Sequence, residues 1–335
     1  MRAHTLHIAQ NVRDAVRRGR SEDSHYIAGG TNQIDLMKEG IRRPSQIVDI
    51  ADLDMRQIAD RGSSIRYGSL VSNTAAAEHP LTRQHLPLIS MTIVKGATQQ
   101  IRNMATLGGN VLQGVRCPYF YDHGAACSRR EGELVGCEAI GGFDRLNAIF
   151  GVSDHCTAAN PSDMALSFLA YDATVHVAGP RGNRAIPFSE LHRMPGQTPW
   201  VETSLRPGEL ITSFDIPKSP AARNAAYQKI RDRQSYAFAT LSVAAALVLD
   251  GDRISDAHIA AGGVGTVPWR LREVEARLRG RPATEASFRN AASTVSVDAT
   301  PGSQNAFKVD LLPVALVRAL VDARAGTPSD PTFFS

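Results

Sequence analysis

The residues best equipped for chemistry in this 335-residue chain are its four cysteines, Cys117, Cys127, Cys137 and Cys156. They share one stretch, with nine, nine and eighteen residues between successive thiols and no C-x-x-C pair. Zinc knuckles and small ferredoxins take thiolates in tight runs. Wide spacing instead suits a loop wrapped around an iron–sulfur cluster inside a larger domain. Zinc, two disulfides or buried free thiols are the other readings that the spacing leaves open. The intervening Ser128-Arg129-Arg130-Glu131-Gly132-Glu133, with Gly136, Gly141 and Gly142 beyond it, has little apolar surface to pack. Such a loop needs something else to order it, which favours a metal. His123 and His155 flank the thiols as candidate zinc ligands, although loop histidines are more commonly just exposed.

Two glycine loops form a second group. Tyr26-Ile27-Ala28 reads as a short strand that runs through Gly29-Gly30-Thr31-Asn32 into a helix carrying Ile34, Leu36 and Met37. A strand, a glycine pair and a helix start can gather backbone N–H groups on an anion, because a glycine has no Cβ to hold the backbone away. An ordinary loop can have the same composition. Thr106-Leu107-Gly108-Gly109-Asn110 is a second such loop, and two of them can clasp a dinucleotide's two phosphates from different sides. Neither matches G-x-G-x-x-G, so a Rossmann fold is not indicated.

The elements that must position these residues fall into three units. In residues 1–58, Asn11 is placed to cap a helix ending at Arg18, and Ser45 to Ile50 reads as a strand. Residues 59–220 contain a strand from Ser64 to Leu70, a helix capped by Asn73, a buried helix from Leu86 to Ala97, and the cysteine insertion at about 115–157. Asp163 is placed to cap a helix from Met164 to Leu169, and strands follow at Thr174–Ala178 and Leu210–Ile216. After a Pro/Ser/Ala stretch from Pro217 to Ala222, residues 222–330 predict strands Phe238–Leu249 and Arg253–Ala261 joined at Asp250-Gly251. Helices at Arg270–Leu278, Glu285–Ala292 and Val309–Ala323 complete an antiparallel sheet with helices on one face.

Composition sets outer limits. With 43% apolar and 21% charged residues and a formal charge of +4, the chain reads as globular. Its basic residues are dispersed among acids, not gathered into a nucleic-acid stripe. Its N-terminus lacks an apolar signal region, Arg17-Arg18 is not followed by one, and the apolar run Val243 to Leu249 is too short to span a bilayer. The expected location is cytoplasmic, or periplasmic by co-export with a signal-bearing partner.

Four motifs occur here in an order and spacing that mark a family. They are Ala28-Gly29-Gly30-Thr31-Asn32; Ile101-Arg102-Asn103 with Ala105 to Asn110; Pro161-Ser162-Asp163; and Lys229 to Arg233 with Ser235 to Ala239. The chain resembles, nearly end to end, the FAD-binding subunit of molybdenum hydroxylases, the xanthine dehydrogenase family. The cysteine loop, opening at Cys117-Pro118-Tyr119-Phe120-Tyr121-Asp122, is similar to the insertion in the flavin subunit of bacterial aldehyde oxidoreductases. A comparable insertion occurs in 4-hydroxybenzoyl-CoA reductase.

The resemblance implies an α+β chain: a two-subdomain FAD-binding fold of the vanillyl-alcohol-oxidase/PCMH type with a cysteine-bearing insertion, then a small C-terminal domain. It implies FAD held by Tyr26, Ile27, Ala28, Gly29, Gly30, Thr31, Asn32 and Gln33 on one side and by Thr106, Gly109 and Asn110 on the other. Asp163 and Lys229 would also approach the cofactor. Cys117, Cys127, Cys137 and Cys156 would hold a [4Fe–4S] cluster. Substrate chemistry would sit at a molybdenum cofactor on a large partner, with a small [2Fe–2S] subunit relaying electrons. FAD would pass them to O₂, a quinone or a carrier protein. No residue of this chain is then expected to act on the aldehyde. Gln33 departs from the family's more usual apolar residue, and no feature marks an NAD site. The alternatives are the flavin subunit of a 4-hydroxybenzoyl-CoA reductase-like enzyme, a free-standing FAD oxidase, and a zinc-stabilised interaction protein without a redox role.

Overall fold

The computed structural model describes residues 2–21 and 23–328. Met1, Glu22 and residues 329–335, which include the last two positions of the expected C-terminal unit, lie outside it. Three sheets organise the fold. The first is parallel, with Gln46–Asp49 between Thr5–Ile8 and Ser24–Ile27. As expected, Asn11 caps the helix Val12–Arg18, its Oδ1 accepting from the Asp14 amide at 2.9 Å. That helix covers the sheet with Ala15 and Val16.

The second sheet is antiparallel and five-stranded, in the order Ile58–Asp60, Ser64–Gly68, Leu210–Pro217, Thr174–Gly179, Gly182–Pro187. Helices Pro87–Val94 and Asp163–Ala170 pack beside it around Tyr67, Phe168, Phe188 and Phe214. Two caps differ from expectation. Ser72, not Asn73, caps the helix Asn73–Glu78, and Ser162, not Asp163, caps Asp163–Ala170. In each pair the serine hydroxyl is short enough to reach the third amide. The next side chain is thereby left for another use.

The third sheet has the order Trp269–Arg270, Arg253–Gly262, Leu241–Asp250, Ala225–Ile230, all antiparallel. Its first hairpin turns at Asp250-Gly251, where Gly251 takes a φ of +59°. Strand Leu241–Asp250 is buried on both faces, and its side chains are graded by size. Leu241, Val243, Ala245 and Leu247 meet the helices Arg272–Leu278, Glu285–Ala292 and Phe307–Ala325. Ala244 and Ala246 face helices Pro87–Val94 and Asp163–Ala170 of the preceding unit. The sheet is therefore covered on both faces, not one. Alanines on the inner face let a helix of the neighbouring unit approach closely.

The helix Phe307–Ala325 also holds the far end of the cysteine loop. The buried Lys308 donates from Nζ to the carbonyls of Asn147 (2.7 Å) and Gly263 (2.6 Å). Asn305 Nδ2 also donates to Asn147 O, and Asp144 accepts from the amides of Ser303 and Gln304. Burial pushes the Lys308 pKa from 10.5 down to about 7. Between those values the unfolded chain binds more protons than the folded one, so this residue's contribution to stability grows as pH rises through 7. In denaturant unfolding, the advantage of the native protein over Lys308→Met should grow from pH 6 to pH 9. Its slope above pH 7 should approach about 1.4 kcal/mol per pH unit. A pH-independent difference would contradict this.

Candidate functional site

The first glycine loop leaves the end of strand Ser24–Ile27 and turns at Gly30, whose φ of +71° is open to glycine without strain. Gly29 lies against the end of helix Gln99–Met104: a Cβ there would stand 1.8 Å from the Met104 carbonyl oxygen. The second loop follows that carbonyl directly. Thr106 caps the helix Leu107–Val111, its hydroxyl accepting from the Gly109 amide at 3.2 Å. The two loops thus meet backbone to backbone, although 76 residues lie between Gly29 and Thr106.

Their junction divides two cavities of about 720 and 430 Å³, and Thr31, Asn32 and Gly109 line both. Tyr26, Ala28, Gly29, Gly30, Gln33 and Thr106 line the larger. Asn110, Asp163 and Lys229 line the smaller. Among the predicted cofactor residues Ile27 alone reaches neither wall; it ends the strand behind the loop.

The walls carry polar groups that lack partners. Among the described residues, the backbone N–H groups of Gly29, Gly30, Thr31 and Asn32 find no backbone carbonyl acceptor. The helix after them, Gln33–Lys38, has only six residues, so the loop amides themselves form the anion-binding surface. Among the described residues, three buried side-chain atoms there have no hydrogen-bond partner: Asn32 Nδ2, Asn73 Oδ1 and Arg116 Nε. All three residues line the smaller cavity. Buried polar atoms are nearly always paired, so such a group in one cavity fits a polar ligand such as a dinucleotide. Sequence reading missed Asn73 and Arg116. Asn73 resembled a cap, and nothing in the local pattern shows that Ser72 takes that role.

Opposite the glycine junction stands a buried ion pair. Lys229 Nζ lies 2.7 Å from Asp163 Oδ2, with side chains 3% and 9% exposed. The same ammonium donates to Lys95 O at 3.0 Å, and Tyr227 Oη donates to Asp163 Oδ1 at 2.5 Å. Burial, then the Asp163 carboxylate, pushes the Tyr227 pKa far up, so its phenol stays protonated and donating. Strand Ala225–Ile230, which the sequence reading lacked, places Tyr227 and Lys229 on the same side of the sheet. In the larger cavity, burial pushes His25 down to about 4, leaving a neutral ring with Gln33 Nε2 3.0 Å from its Nδ1. That contact explains an amide at position 33.

The four cysteines come together in one packed group with Leu36, Val115, Phe120 and Ala139. All are free thiols, so the disulfide reading does not hold. Cys117 precedes the helix Pro118–Tyr121, and Cys127 precedes Ser128–Glu131 and pairs with Cys137 through the backbone, antiparallel. The helix-start amides of Phe120 and Arg130 close on the Cys117 and Cys127 carbonyls, and the sulfurs of Cys117 and Cys156 accept from Asn147 Nδ2 at 3.9 Å and Arg129 Nε at 3.4 Å. Burial raises the pKa of Cys117, Cys127 and Cys137, that of Cys117 to about 11. No group of three or more His, Cys, Asp or Glu among the described residues is arranged to hold a metal ion. The flanking histidines are turned elsewhere, His123 Nε2 to Glu39 O and His155 Nε2 to Gln197 Oε1.

Comparison with known proteins identifies the family and the fold. Residues 2–219 match the family described as the FAD binding domain in molybdopterin dehydrogenase, and residues 225–323 match the CO dehydrogenase flavoprotein C-terminal domain. The chain is 41% identical to the aldehyde oxidoreductase FAD-binding subunit PaoB of Escherichia coli, over 90% of this chain and 91% of that one. It is 26% identical to the putative xanthine dehydrogenase FAD-binding subunit XdhB of the same species, over 89% and 87%. The fold is shared with reconstituted CO dehydrogenase from Oligotropha carboxidovorans, at a TM-score of 0.76 and 23% identity, covering 97% of this chain and 99% of that one. No helix among the described residues is long and apolar enough to cross a membrane. With two abutting glycine loops, unpaired polar atoms on the cavity walls and these matches, the chain belongs to the FAD-binding subunits of the molybdenum hydroxylase family.

Proposed function

We propose that this chain is the FAD- and [4Fe–4S]-carrying electron-transfer subunit of a three-subunit molybdenum aldehyde oxidoreductase. It would receive electrons from a small [2Fe–2S] subunit, and the aldehyde would react at a molybdenum cofactor on a large partner. Electrons would leave to O₂, a quinone or a carrier protein. The observation that carries the aldehyde assignment is the 41% identity to PaoB across nine-tenths of the chain.

FAD, when bound, can accept electrons singly from an iron–sulfur donor and release them to a second acceptor. The chain's own residues do the rest. The amides of Gly29 to Asn32 and the Gly109 turn would receive the pyrophosphate. The Asn32, Asn73 and Arg116 side chains would satisfy their unpaired atoms on cofactor oxygens or nitrogens. The Lys229–Asp163 pair sets a fixed dipole in the smaller cavity, with the ammonium held by Lys95 O and the carboxylate by Tyr227.

Four thiols are the ligand number that a [4Fe–4S] cluster takes, and here they share one packed group. One zinc draws four thiolates to about 2.3 Å from one point. A cubane spreads its four ligands over separate irons. Four free thiols in one packed group, two of them accepting from the side-chain N–H groups of Arg129 and Asn147, support the cluster reading. The test is absorption and iron, sulfide and zinc analysis of anaerobically purified protein. Flavin bands and about four irons per chain are expected. Cys127→Ser should lose most of the iron and keep flavin. Stoichiometric zinc without iron would overturn the cluster assignment, and protein that binds no flavin would overturn the whole reading.

A further inference from the structure

A buried guanidinium is costly unless paired, so each buried arginine's partners report what it is for. The cysteine segment buries two adjacent ones, and they are used differently. Arg130 donates to three backbone carbonyls, those of Tyr119, Asp122 and Ala125, and so ties the loop to itself. Arg129, with its side chain 5% exposed, makes no such tie. Its Nε donates to Cys156 Sγ at 3.4 Å and its Nη1 to Glu202 Oε1 at 2.9 Å. The other oxygen of Glu202 accepts from Arg42 Nη2 at 3.3 Å, and both Arg42 and Glu202 line the larger cavity. An unbroken line of charged contacts therefore runs from one thiol to the wall of the dinucleotide cavity.

We propose that Arg129 is a positioning residue that sets the reduction potential of the [4Fe–4S] cluster, with Glu202 holding it in place and offsetting part of its charge. The inference rests on the cluster reading above. A cation buried beside one cysteine ligand stabilises the reduced cluster, which carries one more negative charge, over the oxidised one. Its presence raises the potential. Glu202 lies one residue further from the sulfur and opposes the effect while fixing the guanidinium's direction.

The experiment is a dye-mediated redox titration of the anaerobically purified full chain, read by the low-temperature EPR signal of the reduced cluster, with iron counted in each sample. Arg129→Gln should keep the iron and disfavour reduction about tenfold, a fall of about 59 mV for a one-electron couple. Glu202→Gln should move the potential the opposite way. Iron-loaded variants that titrate with the native protein would overturn the proposal, as would shifts of the same sign in both. An arginine that merely braces the loop would lower iron content and leave the potential of the remaining clusters unchanged, which also overturns it. Should Arg129→Gln fail to fold, the direction of the Glu202→Gln shift still decides. Native protein without iron removes the cluster reading itself, and this inference with it.

Discussion

Gly29→Ala should abolish FAD binding in a chain that otherwise folds. The added Cβ would sit 1.8 Å from the Met104 carbonyl oxygen and 2.7 Å from its carbon. Both are backbone atoms, so no rotamer change relieves the clash. The loops must separate by more than an ångström, and the shared surface of Thr31, Asn32 and Gly109 opens with them. Overpacking of this kind costs about 1–3 kcal/mol, well within what a chain with such large cores can absorb. A ligand held from both sides is far less forgiving. Flavin per chain after gel filtration should fall to below about a tenth of native, with little change in far-ultraviolet circular dichroism. Gly114→Ala is the control: its Cβ would meet Leu36 side-chain carbons at 3.5 and 3.8 Å, ordinary contact. Native flavin content in Gly29→Ala would show that the junction does not grip the cofactor.

The second large effect concerns the Asp163–Lys229 pair. Lys229→Met removes the ammonium and leaves a carboxylate, 9% exposed, with the Tyr227 hydroxyl as its remaining partner among the described residues. Removing one member of a buried pair costs about 3–5 kcal/mol, because the other charge stays behind uncompensated. Removing both charges costs much less. The double variant Asp163→Asn/Lys229→Met should therefore be more stable than Lys229→Met alone, a coupling of at least about 1 kcal/mol. Urea unfolding of the four proteins measures it. Additive effects would mean that the two groups do not depend on each other. Flavin content should fall in all three variants, since the pair lines the smaller cavity.

Some elements could be read from local residues alone. The helix Glu285–Ala292 has the expected limits because Thr284 caps it within three residues. The hairpin at Asp250-Gly251 turns where its dipeptide says it must. Strands Thr5–Ile8, Gly182–Pro187 and Ala225–Ile230 were not foreseen. Each is short, and each is defined by its partner in the sheet more than by its own alternation. Ala225–Ile230 exists as a strand because Leu241 to Ala246 pairs with it.

The sequence by itself determined the chemistry on offer: two glycine loops able to approach an anion, four thiols within one segment, and an Asp and a Lys in family motifs. The loops and the thiols are properties of residue type and order that local physics reads; the Asp and the Lys stand out only through the resemblance. Tertiary structure alone decided which of these groups meet. Only packing brings Gly29 against Met104, and only the third sheet carries Lys229 to Asp163. Ser72 and Ser162 took the cap positions and released Asn73 and Asp163 toward a cavity. Each helix is capped one residue earlier than expected, and Asp163, left free, meets Lys229 and Tyr227. Such partners lie far along the chain, beyond the reach of any local pattern.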